Sequence, residues 1–230
     1  MLFAFVVGGA LLLGVVAFRY LSAEIYDMLI VSMTARWYAA TLLKLESGMK
    51  VVDVGIGTAT ALVKNAELVR GKRLVVCGFD YEKAYVTKAQ TVVQDANLAE
   101  QIHVCQADVH DPSLAHTLGV QDGFFDAAYF SGSISLMPEP HKALQNVAKL
   151  LKPGGRIYIT QTFQNRPSPI AERVKPLLRL LTSVDFGQLV YHSEVSAIIH
   201  RADMTIIEDE PIKGSIDNAS QTARLIVVQP

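Results

Sequence analysis

From Met49 onward the sequence alternates between short apolar runs and longer segments with helical character. Short runs rich in Val, Ile and Phe are typical of buried strands. Strands that alternate with helices form a mostly parallel sheet whose two faces are covered by helices. The pattern therefore predicts an α/β fold with a doubly wound sheet. The predicted strands are Lys50–Val54, Arg73–Phe79, Ile102–Gln106, Phe125–Phe130 and Arg156–Gln161.

Helices are predicted between these strands, and the chain ends with one more helix and two more strands. The final strand is the more apolar of the two, which are predicted at Met204–Glu208 and Ala223–Gln229. The predicted helices are Thr60–Leu68, Glu82–Asn97, Pro140–Leu151 and Ser193–Arg201.

Length and composition exclude several classes of protein. A chain of 230 residues suits one domain, or one domain with an appendage. Lys and Arg (21) nearly balance Asp and Glu (22), so the chain lacks the basic excess of a nucleic-acid binder. Cys77 and Cys105 are too few for a disulfide framework or a zinc site, so we expect buried, reduced thiols and no metal.

The N-terminus is predicted to be a membrane anchor over residues 1–23. Leu2–Phe18 is an uninterrupted run of 17 apolar or glycine residues, at the short limit for a helix that spans a bilayer. Arg19 follows the run, and the positive-inside rule places the rest of the chain on the cytoplasmic side. The alternative is a helix that packs on the protein or enters one leaflet only.

Residues 24–48 are predicted to form a helical lead-in to the sheet, because apolar residues recur at three- and four-residue steps. Its aromatic residues are of the kind found at membrane interfaces, and packing against the sheet is the alternative. The periodic positions are Ile25, Leu29, Met33, Trp37, Ala40 and Leu43. The aromatic residues are Tyr26, Trp37 and Tyr38, together with Tyr20 just before the segment.

Glycines and acidic residues lie at the ends of three successive predicted strands. The first strand continues into DVGIGTA (53–59), whose glycines allow a sharp turn and a close approach to a ligand. Asp80 follows the second strand, and a carboxylate there can accept hydrogen bonds from two ribose hydroxyls. Asp108 follows the third, where it or its neighbouring backbone can bind an adenine amino group. Ligands bind at this edge of parallel sheets, so the sequence predicts a nucleoside site.

Five segments together give the chain a clear resemblance to the class I S-adenosylmethionine-dependent methyltransferases. The resemblance implies a seven-stranded, mostly parallel sheet with an antiparallel last strand, S-adenosylmethionine as cofactor, and methyl transfer as the reaction. One departure is Ala59, which stands where the family has a third glycine and is expected to have a negative φ. The segments are VVDVGIGTA (51–59), VVCGFDYE (75–82), CQADVHD (105–111), FDAAYFSGSISLM (125–137) and LLKPGGRIYI (150–159).

The resemblance also implies a set of cofactor-binding residues, all at or just after strand ends. Some hold the methionine part of the cofactor, some hold the ribose or adenine, and one lies between cofactor and acceptor. They are Asp53, Gly55, Gly57 and Thr58 for the methionine part, Asp80 and Tyr81 for the ribose, Asp108 and Val109 for the adenine, and Ser131 beside the acceptor.

The catalytic residue stays open at this point. A sulfonium is an activated methyl donor, so positioning supplies most of the acceleration, but a carbon or oxygen acceptor can require a base. His141, Tyr191 and His192 are candidates, because the loops after the fourth and fifth strands border the acceptor in this family. Each of the three is equally well interpreted as an exposed polar or helix-capping residue.

Residues 163–192 are predicted to be a cap insertion with an apolar face and several cationic residues. Such a segment covers an acceptor pocket or lies on a membrane surface, and an ordinary surface helix is the alternative. With the anchor, it indicates a lipophilic acceptor such as a quinone, a lipid headgroup or a sterol. In its organisation, with an anchor and an insertion around the methyltransferase motifs, the chain is similar to quinone-biosynthesis C-methyltransferases, phospholipid N-methyltransferases and membrane-anchored thiol methyltransferases.

Two alternatives to this function are compatible with the sequence. The first is a catalytically silent subunit that binds S-adenosylmethionine and regulates or anchors another enzyme. The second is a soluble methyltransferase of a small polar metabolite, which would require the N-terminal run to belong to a core. No nucleic-acid partner is expected, and the oligomeric state stays open.

Overall fold

A computed structural model describes residues 30–166 and 189–230 of the chain. The predicted anchor over residues 1–23 and residues 167–188 of the predicted insertion lie outside these ranges. In the described ranges, no helix is both long and apolar enough to cross a bilayer. Residues 33–165 and 190–230 form one compact unit, which therefore includes the C-terminal half of the predicted lead-in.

The sheet has seven strands in the order β3-β2-β1-β4-β5-β7-β6, which confirms the predicted fold class. Strands β1 to β5 are parallel, and β7 pairs antiparallel with both β5 and β6. The strands are β1 Lys50–Val54, β2 Val75–Asp80, β3 Ile102–Gln106, β4 Phe125–Ser131, β5 Leu151–Gln164, β6 Thr205–Pro211 and β7 Gln221–Gln229.

Seven helices accompany the strands in the described ranges, and α1 covers residues 30–44. Most of them agree with the prediction to within a few residues. Two short elements were not predicted: the single-turn helix α5 and a 3₁₀ turn over Ile134–Leu136. The remaining helices are α2 Thr60–Val63, α3 Ala66–Gly71, α4 Lys83–Asp95, α5 Leu114–Thr117, α6 Pro140–Lys149 and α7 His192–Arg201.

The single helix predicted over Thr60–Leu68 is wrong, because the chain breaks between α2 and α3 at Asn65. The side-chain amide of Asn65 donates to the Ala61 carbonyl at 3.1 Å. It thereby satisfies an acceptor that the broken helix leaves without its usual backbone partner. The same amide group donates to the carbonyl of Ala35 in α1 at 2.9 Å. The break therefore joins the first helices of the fold to each other.

Two apolar cores lie on the two faces of the sheet, as a doubly wound fold requires. Helices α1 to α4 cover one face, where Leu62, Val69 and Val93 are among the buried contacts. Helices α5 to α7 cover the other face, with Leu144 and Ile199 among the buried contacts.

Helix α1 packs on the sheet through a stripe that differs from the predicted one. Trp37 and Tyr38 are each only 3% exposed, so they belong to the core, and their interpretation as membrane-interface residues is wrong. Leu43, assigned to the apolar stripe, is 63% exposed. Thr41 and Leu42 are buried in its place, because the buried stripe follows successive steps of one and three residues.

We predict that Gly78→Ala destabilises the protein by about 1–3 kcal/mol through overpacking of β2 against Ile56. A Cβ at position 78 would lie 2.3 Å from the Ile56 Cδ1 atom. Ile56→Val removes that atom at a cost of about 1 kcal/mol alone, so the double variant should lose less than the sum of the two. Urea unfolding of the four proteins measures this.

Gly71→Ala is the matched control, since a Cβ there would meet nothing within 4 Å. It should leave the unfolding free energy unchanged or slightly raised. Strictly additive losses in the Gly78 and Ile56 variants would contradict the predicted close contact.

Candidate functional site

The turn after β1 is held against the end of β2. The backbone amides of Gly55 and Ile56 both donate to the Phe79 carbonyl, at 2.9 and 3.1 Å. Gly55 has a φ of 75° and Gly57 a φ of 59°, a region that strongly favours glycine. A Cβ at position 55 would also lie 2.8 Å from the Ser133 Cβ atom. The two glycines are therefore required by conformation and, at position 55, by close packing as well.

Ala59 continues this alternation with a φ of 57°, so the expectation of a negative φ is wrong. The left-handed conformation costs an alanine about 1 kcal/mol. Packing offsets part of this cost, because the side chain is only 2% exposed in the core beneath α1. Its carbonyl also accepts the first hydrogen bond of α2, from Val63 at 2.9 Å.

Asp80 joins two loops at the end of β2. Its Oδ2 atom accepts a hydrogen bond from the Gly57 amide at 3.0 Å, and its Oδ1 atom accepts one from the Glu82 amide at 2.9 Å. Each carboxylate oxygen can accept more than one hydrogen bond, so both can also bind a ligand hydroxyl. Tyr81, the next residue, is 73% exposed beside it.

The loop after β3 is ordered by its own side chains and by α6. The Asp108 carboxylate accepts a hydrogen bond from the His110 amide at 2.9 Å, which forms a tight turn. The Asn146 amide of α6 donates to the Val109 carbonyl at 3.1 Å. Val109 is buried, whereas Asp108 stays exposed.

The segment after β4 closes against the turn after β1. Ser133 donates from Oγ to the Val54 carbonyl at 2.5 Å, and its side chain occupies the space that a Cβ at Gly55 would fill. The Ser131 Oγ atom is buried beside the Tyr38 and Tyr129 hydroxyls.

These four segments surround a cavity of about 640 Å³, a volume typical of sites for small ligands. The structure brings seven of the nine predicted cofactor-binding residues together in its wall. They are Gly55, Gly57, Asp80, Tyr81, Asp108, Val109 and Ser131.

Thr58 and Asp53 are the two predicted residues that lie outside this wall. Thr58 is engaged with Thr60, their Oγ1 atoms 2.9 Å apart. Asp53 lies below the turn, only 1% exposed, and its Oδ2 atom accepts a hydrogen bond from the Tyr38 hydroxyl at 2.8 Å. Its Oδ1 atom is buried and has no hydrogen-bond partner among the described residues.

Burial raises the pKa of Asp53 to about 7, because a buried carboxylate loses its hydration. The hydrogen bond from Tyr38 acts in the opposite direction and lowers this pKa, while the nearby Asp80 raises it further. Asp53 is therefore a buried acid that gains or loses its proton near neutral pH.

Sequence reasoning missed several residues of the cavity wall. Tyr85 reaches it from the first turn of α4, and His110 reaches it from the turn after Asp108. Both lie a few residues beyond a strand end, which is the one signal that points to them. A further part of the wall lies at the end of the 3₁₀ turn that was not predicted and just after it, and consists of Leu136, Met137 and Pro138.

The three candidates for a catalytic base lie elsewhere, outside the wall of this cavity. His141 lines a separate depression of about 360 Å³ between α6 and α7, together with Ile198 and Arg201. Tyr191 begins α7, where its backbone amide donates to the Glu194 carboxylate at 3.0 Å.

His192 belongs to a polar cluster between α7 and the outer strands of the sheet. Its Nε2 atom is 2.5 Å from the Asp209 Oδ2 atom, and Arg224 donates from Nε to the Asp209 Oδ1 atom at 2.6 Å. The imidazole also meets the Phe163 ring edge-on at 5.3 Å. These contacts account for His192 as a residue that fastens α7 to β6 and β7.

Comparison with known proteins identifies the family. Residues 45–203 match the family model described as "Methyltransferase domain". The chain belongs to this family. Phosphatidylethanolamine N-methyltransferase of Cereibacter sphaeroides is 26% identical over 72% of this chain and 74% of that enzyme. The ubiquinone/menaquinone biosynthesis C-methyltransferase of Vibrio cholerae is 25% identical over 75% of this chain and 64% of that enzyme.

Solved structures of methyltransferases share the fold. An S-adenosylmethionine-dependent methyltransferase from Aquifex aeolicus superposes with a TM-score of 0.61 at 17% identity, over 84% of this chain and 88% of that one. A second one, from Geobacter sulfurreducens and bound to S-adenosyl-L-homocysteine, superposes with a TM-score of 0.59 at 16% identity. The match covers 85% of this chain and 90% of that one. The protein is a class I S-adenosylmethionine-dependent methyltransferase.

The residues present suit this cofactor on physical grounds. The turn after β1 leaves open space at Gly57, where a Cβ would meet nothing within 4 Å. The buried Asp53 Oδ1 atom has no hydrogen-bond partner in the described ranges, and buried polar atoms require one. The cavity wall also carries the two carboxylates, Asp80 and Asp108, that a nucleoside can use.

We predict that Asp53→Asn removes one component of the pH dependence of stability. The pKa is higher in the folded protein (about 7) than in the unfolded chain (about 3.8), so the folded state binds more protons in between. Wild-type stability should therefore fall relative to the variant as pH rises from about 4 to 7, by up to about 1.4 kcal/mol per pH unit. Urea unfolding without cofactor, repeated at several pH values, measures the difference. Parallel curves for the two proteins would show that Asp53 is already ionised at pH 5.

Proposed function

We propose that the cavity binds S-adenosylmethionine along the row of strand ends from β3 to β4. In this arrangement Asp108 and Val109 contact the adenine, Asp80 the ribose hydroxyls, and the turn at Gly55 and Gly57 the methionine part. Asp53 offers its unpartnered oxygen to the amino group of the methionine part. The assignment is supported by the order of the strands, which places these residues side by side.

S-adenosylmethionine supplies a methyl group on a positively charged sulfur, which needs no further activation. The residues of this chain then act by holding the donor and keeping water out. At the β4 end of the cavity the wall consists of Ser131, Gly132 and Ser133, none of which ionises near neutral pH. In the described ranges, the ionisable wall residues come from the β2 and β3 side, which favours catalysis by positioning over a dedicated base.

The acceptor is proposed to be a lipophilic small molecule: a quinone, a lipid headgroup or a sterol-like compound. The observation that carries this proposal is the apolar mouth of the cavity. Five large apolar side chains are exposed in the described ranges. Three of the five line this cavity: Tyr81, Tyr85 and Leu136. Clustered apolar side chains that stay exposed are typical of binding surfaces. Relatives named for phosphatidylethanolamine and for quinone biosynthesis support the same class.

A membrane location follows as part of this proposal. A lipophilic acceptor is concentrated in the bilayer, and the apolar run Leu2–Phe18 would hold the enzyme beside it. The domain would face the cytoplasm, where Arg19 directs it by the positive-inside rule.

We predict that Asp80→Ala lowers the affinity for S-adenosylmethionine by about 100-fold, because hydrogen bonds to a charged acceptor are worth about 1.5–3 kcal/mol each. Isothermal titration calorimetry measures the dissociation constant. Asp95→Ala is the matched control, since it removes the same charge from an exposed position near the end of α4. Equal affinities in the Asp80 variant and the control would refute the assignment of Asp80 to the ribose.

We predict that labelled methyl groups enter the organic phase when the enzyme, labelled S-adenosylmethionine and total membrane lipid are incubated together. Leu136→Asp should lower this transfer at least tenfold, because a charge at the mouth repels an apolar acceptor. Leu43→Asp is the control, since Leu43 is similarly exposed but lies on α1.

The possible results separate the proposed acceptor from its alternatives. Label that enters only water-soluble compounds would support a methyltransferase of polar metabolites. Tight cofactor binding without transfer to any fraction would support a catalytically silent subunit.

A further inference from the structure

A carboxylate and a phenol meet in the core between α1 and β1. Asp53 and Tyr38 are 1% and 3% exposed, and the Tyr38 hydroxyl donates to the Asp53 Oδ2 atom at 2.8 Å. The second oxygen, Oδ1, has no hydrogen-bond partner among the described residues. Because a buried oxygen without a partner is costly, this arrangement favours a ligand that supplies a donor.

Helix α1 is also fastened to the domain at several other points. Trp37 donates from Nε1 to the Ser215 hydroxyl at 3.0 Å, and Lys44 pairs with Glu208 at 2.6 Å. The Tyr38 hydroxyl donates to Asp53, the β1 residue directly below the turn that forms the cavity. This contact of α1 is therefore placed to influence ligand binding.

We propose that Tyr38 is a positioning residue of the cofactor site, which holds one oxygen of Asp53 so that the other pairs with the positively charged amino group of the methionine part. The inference rests on the proposed function, since it assumes that Asp53 meets this group. It goes further by assigning α1 a part in cofactor binding and by linking the docking of α1 to that binding.

The linkage arises because α1 and the cofactor share one carboxylate. Three ionisable groups lie close to Asp53 on neighbouring elements: Tyr38 of α1 and Asp80 of β2, which shift its pKa, and Tyr129 of β4, whose own pKa Asp53 raises. Of these, only Tyr38 donates a hydrogen bond to the carboxylate. None of the three carries a positive charge, so the amino group of the cofactor would be the first cation to reach Asp53.

Ionisation of Asp53 follows from that pairing. Without cofactor, burial raises the pKa of Asp53 to about 7, so part of the protein carries a proton there at neutral pH. An adjacent cation favours the charged form, so the proton leaves when the cofactor binds. The charged form is also the better acceptor for the Tyr38 hydroxyl, which strengthens the contact of α1. By reciprocity, a docked α1 must raise the affinity for the cofactor.

The decisive experiment counts the protons released when the full chain binds S-adenosylmethionine. Calorimetric titrations in two buffers of different ionisation enthalpy give this number at each pH between 6 and 8. The amino group of the cofactor titrates in the same range, so the quantity of interest is the difference between the wild type and Asp53→Asn. We expect the wild type to release more protons than this variant, with a difference that grows as pH falls from 8 to 6.

Tyr38→Phe tests the positioning role, because it keeps the ring and removes only the hydroxyl. Loss of that hydrogen bond raises the pKa of Asp53, so the release of the proton and the dependence of affinity on pH should move to higher pH. Tyr129→Phe is the matched control: Tyr129 is equally buried, lies 4.9 Å from the Tyr38 ring, and bonds Thr160 rather than Asp53. In Tyr129→Phe, proton release and affinity should depend on pH as they do in the wild type.

Several outcomes would overturn the inference. If Tyr38→Phe lowers affinity by the same factor at every pH, the hydroxyl acts only through the stability of the fold. If Asp53→Asn releases as many protons as the wild type, Asp53 does not pair with the amino group, even though the cofactor binds. If the wild type itself does not bind the cofactor, the proposed function fails, and this inference fails with it.

A second readout follows the helix directly. Amide hydrogen exchange in residues 33–44 should slow when S-adenosylmethionine is added to the wild type, because ionised Asp53 holds Tyr38 more strongly. The same addition should leave exchange in Tyr38→Phe much less changed. Equal slowing in both proteins would show that α1 responds to the cofactor by another route, which would overturn the assigned role of Tyr38.

Discussion

The attachment of the turn after β1 to the end of β2 is the interaction on which the rest of the site depends. Two amides of the turn, those of Gly55 and Ile56, donate to the Phe79 carbonyl, and the Gly57 amide donates to the Asp80 carboxylate. These bonds close the turn and orient the carboxylate at the same time. A single contact region therefore builds the floor of the cavity and places one of its charged residues.

The two faces of the sheet contribute differently to function. On the face covered by α1, the core contains the buried pair of Tyr38 and Asp53 beneath the turn. On the opposite face, α6 steadies the loop after β3 through Asn146, and α7 is fastened to β6 and β7 by the His192 cluster. In the described ranges, the Asp53 Oδ1 atom beneath the turn is thus available to a ligand, whereas His192, Asp209 and Arg224 pair with one another.

Periodicity and turn residues were sufficient to predict the sheet, and the resemblance to the family pointed to seven residues that line the cavity. The strand at Ile102–Gln106 is confirmed to the residue, and Asp80 and Asp108 lie in the cavity wall as predicted. These features are local, because a strand end and its turn are encoded within a few consecutive residues. The break at Asn65 and the positive φ of Ala59 were not predictable in this way, since each is stabilised by contacts with distant segments.

The sequence by itself determined the alternation of strands and helices, the family, and the acids at the strand ends. Only the tertiary structure decided that Tyr38 donates to Asp53 and that His141, Tyr191 and His192 are not among the described residues that line the cavity. The physical reason is that hydrogen-bond partners and burial depend on which helix covers which face of the sheet. Nothing in the spacing of residues along the chain records that choice, whereas the packed core makes it unique.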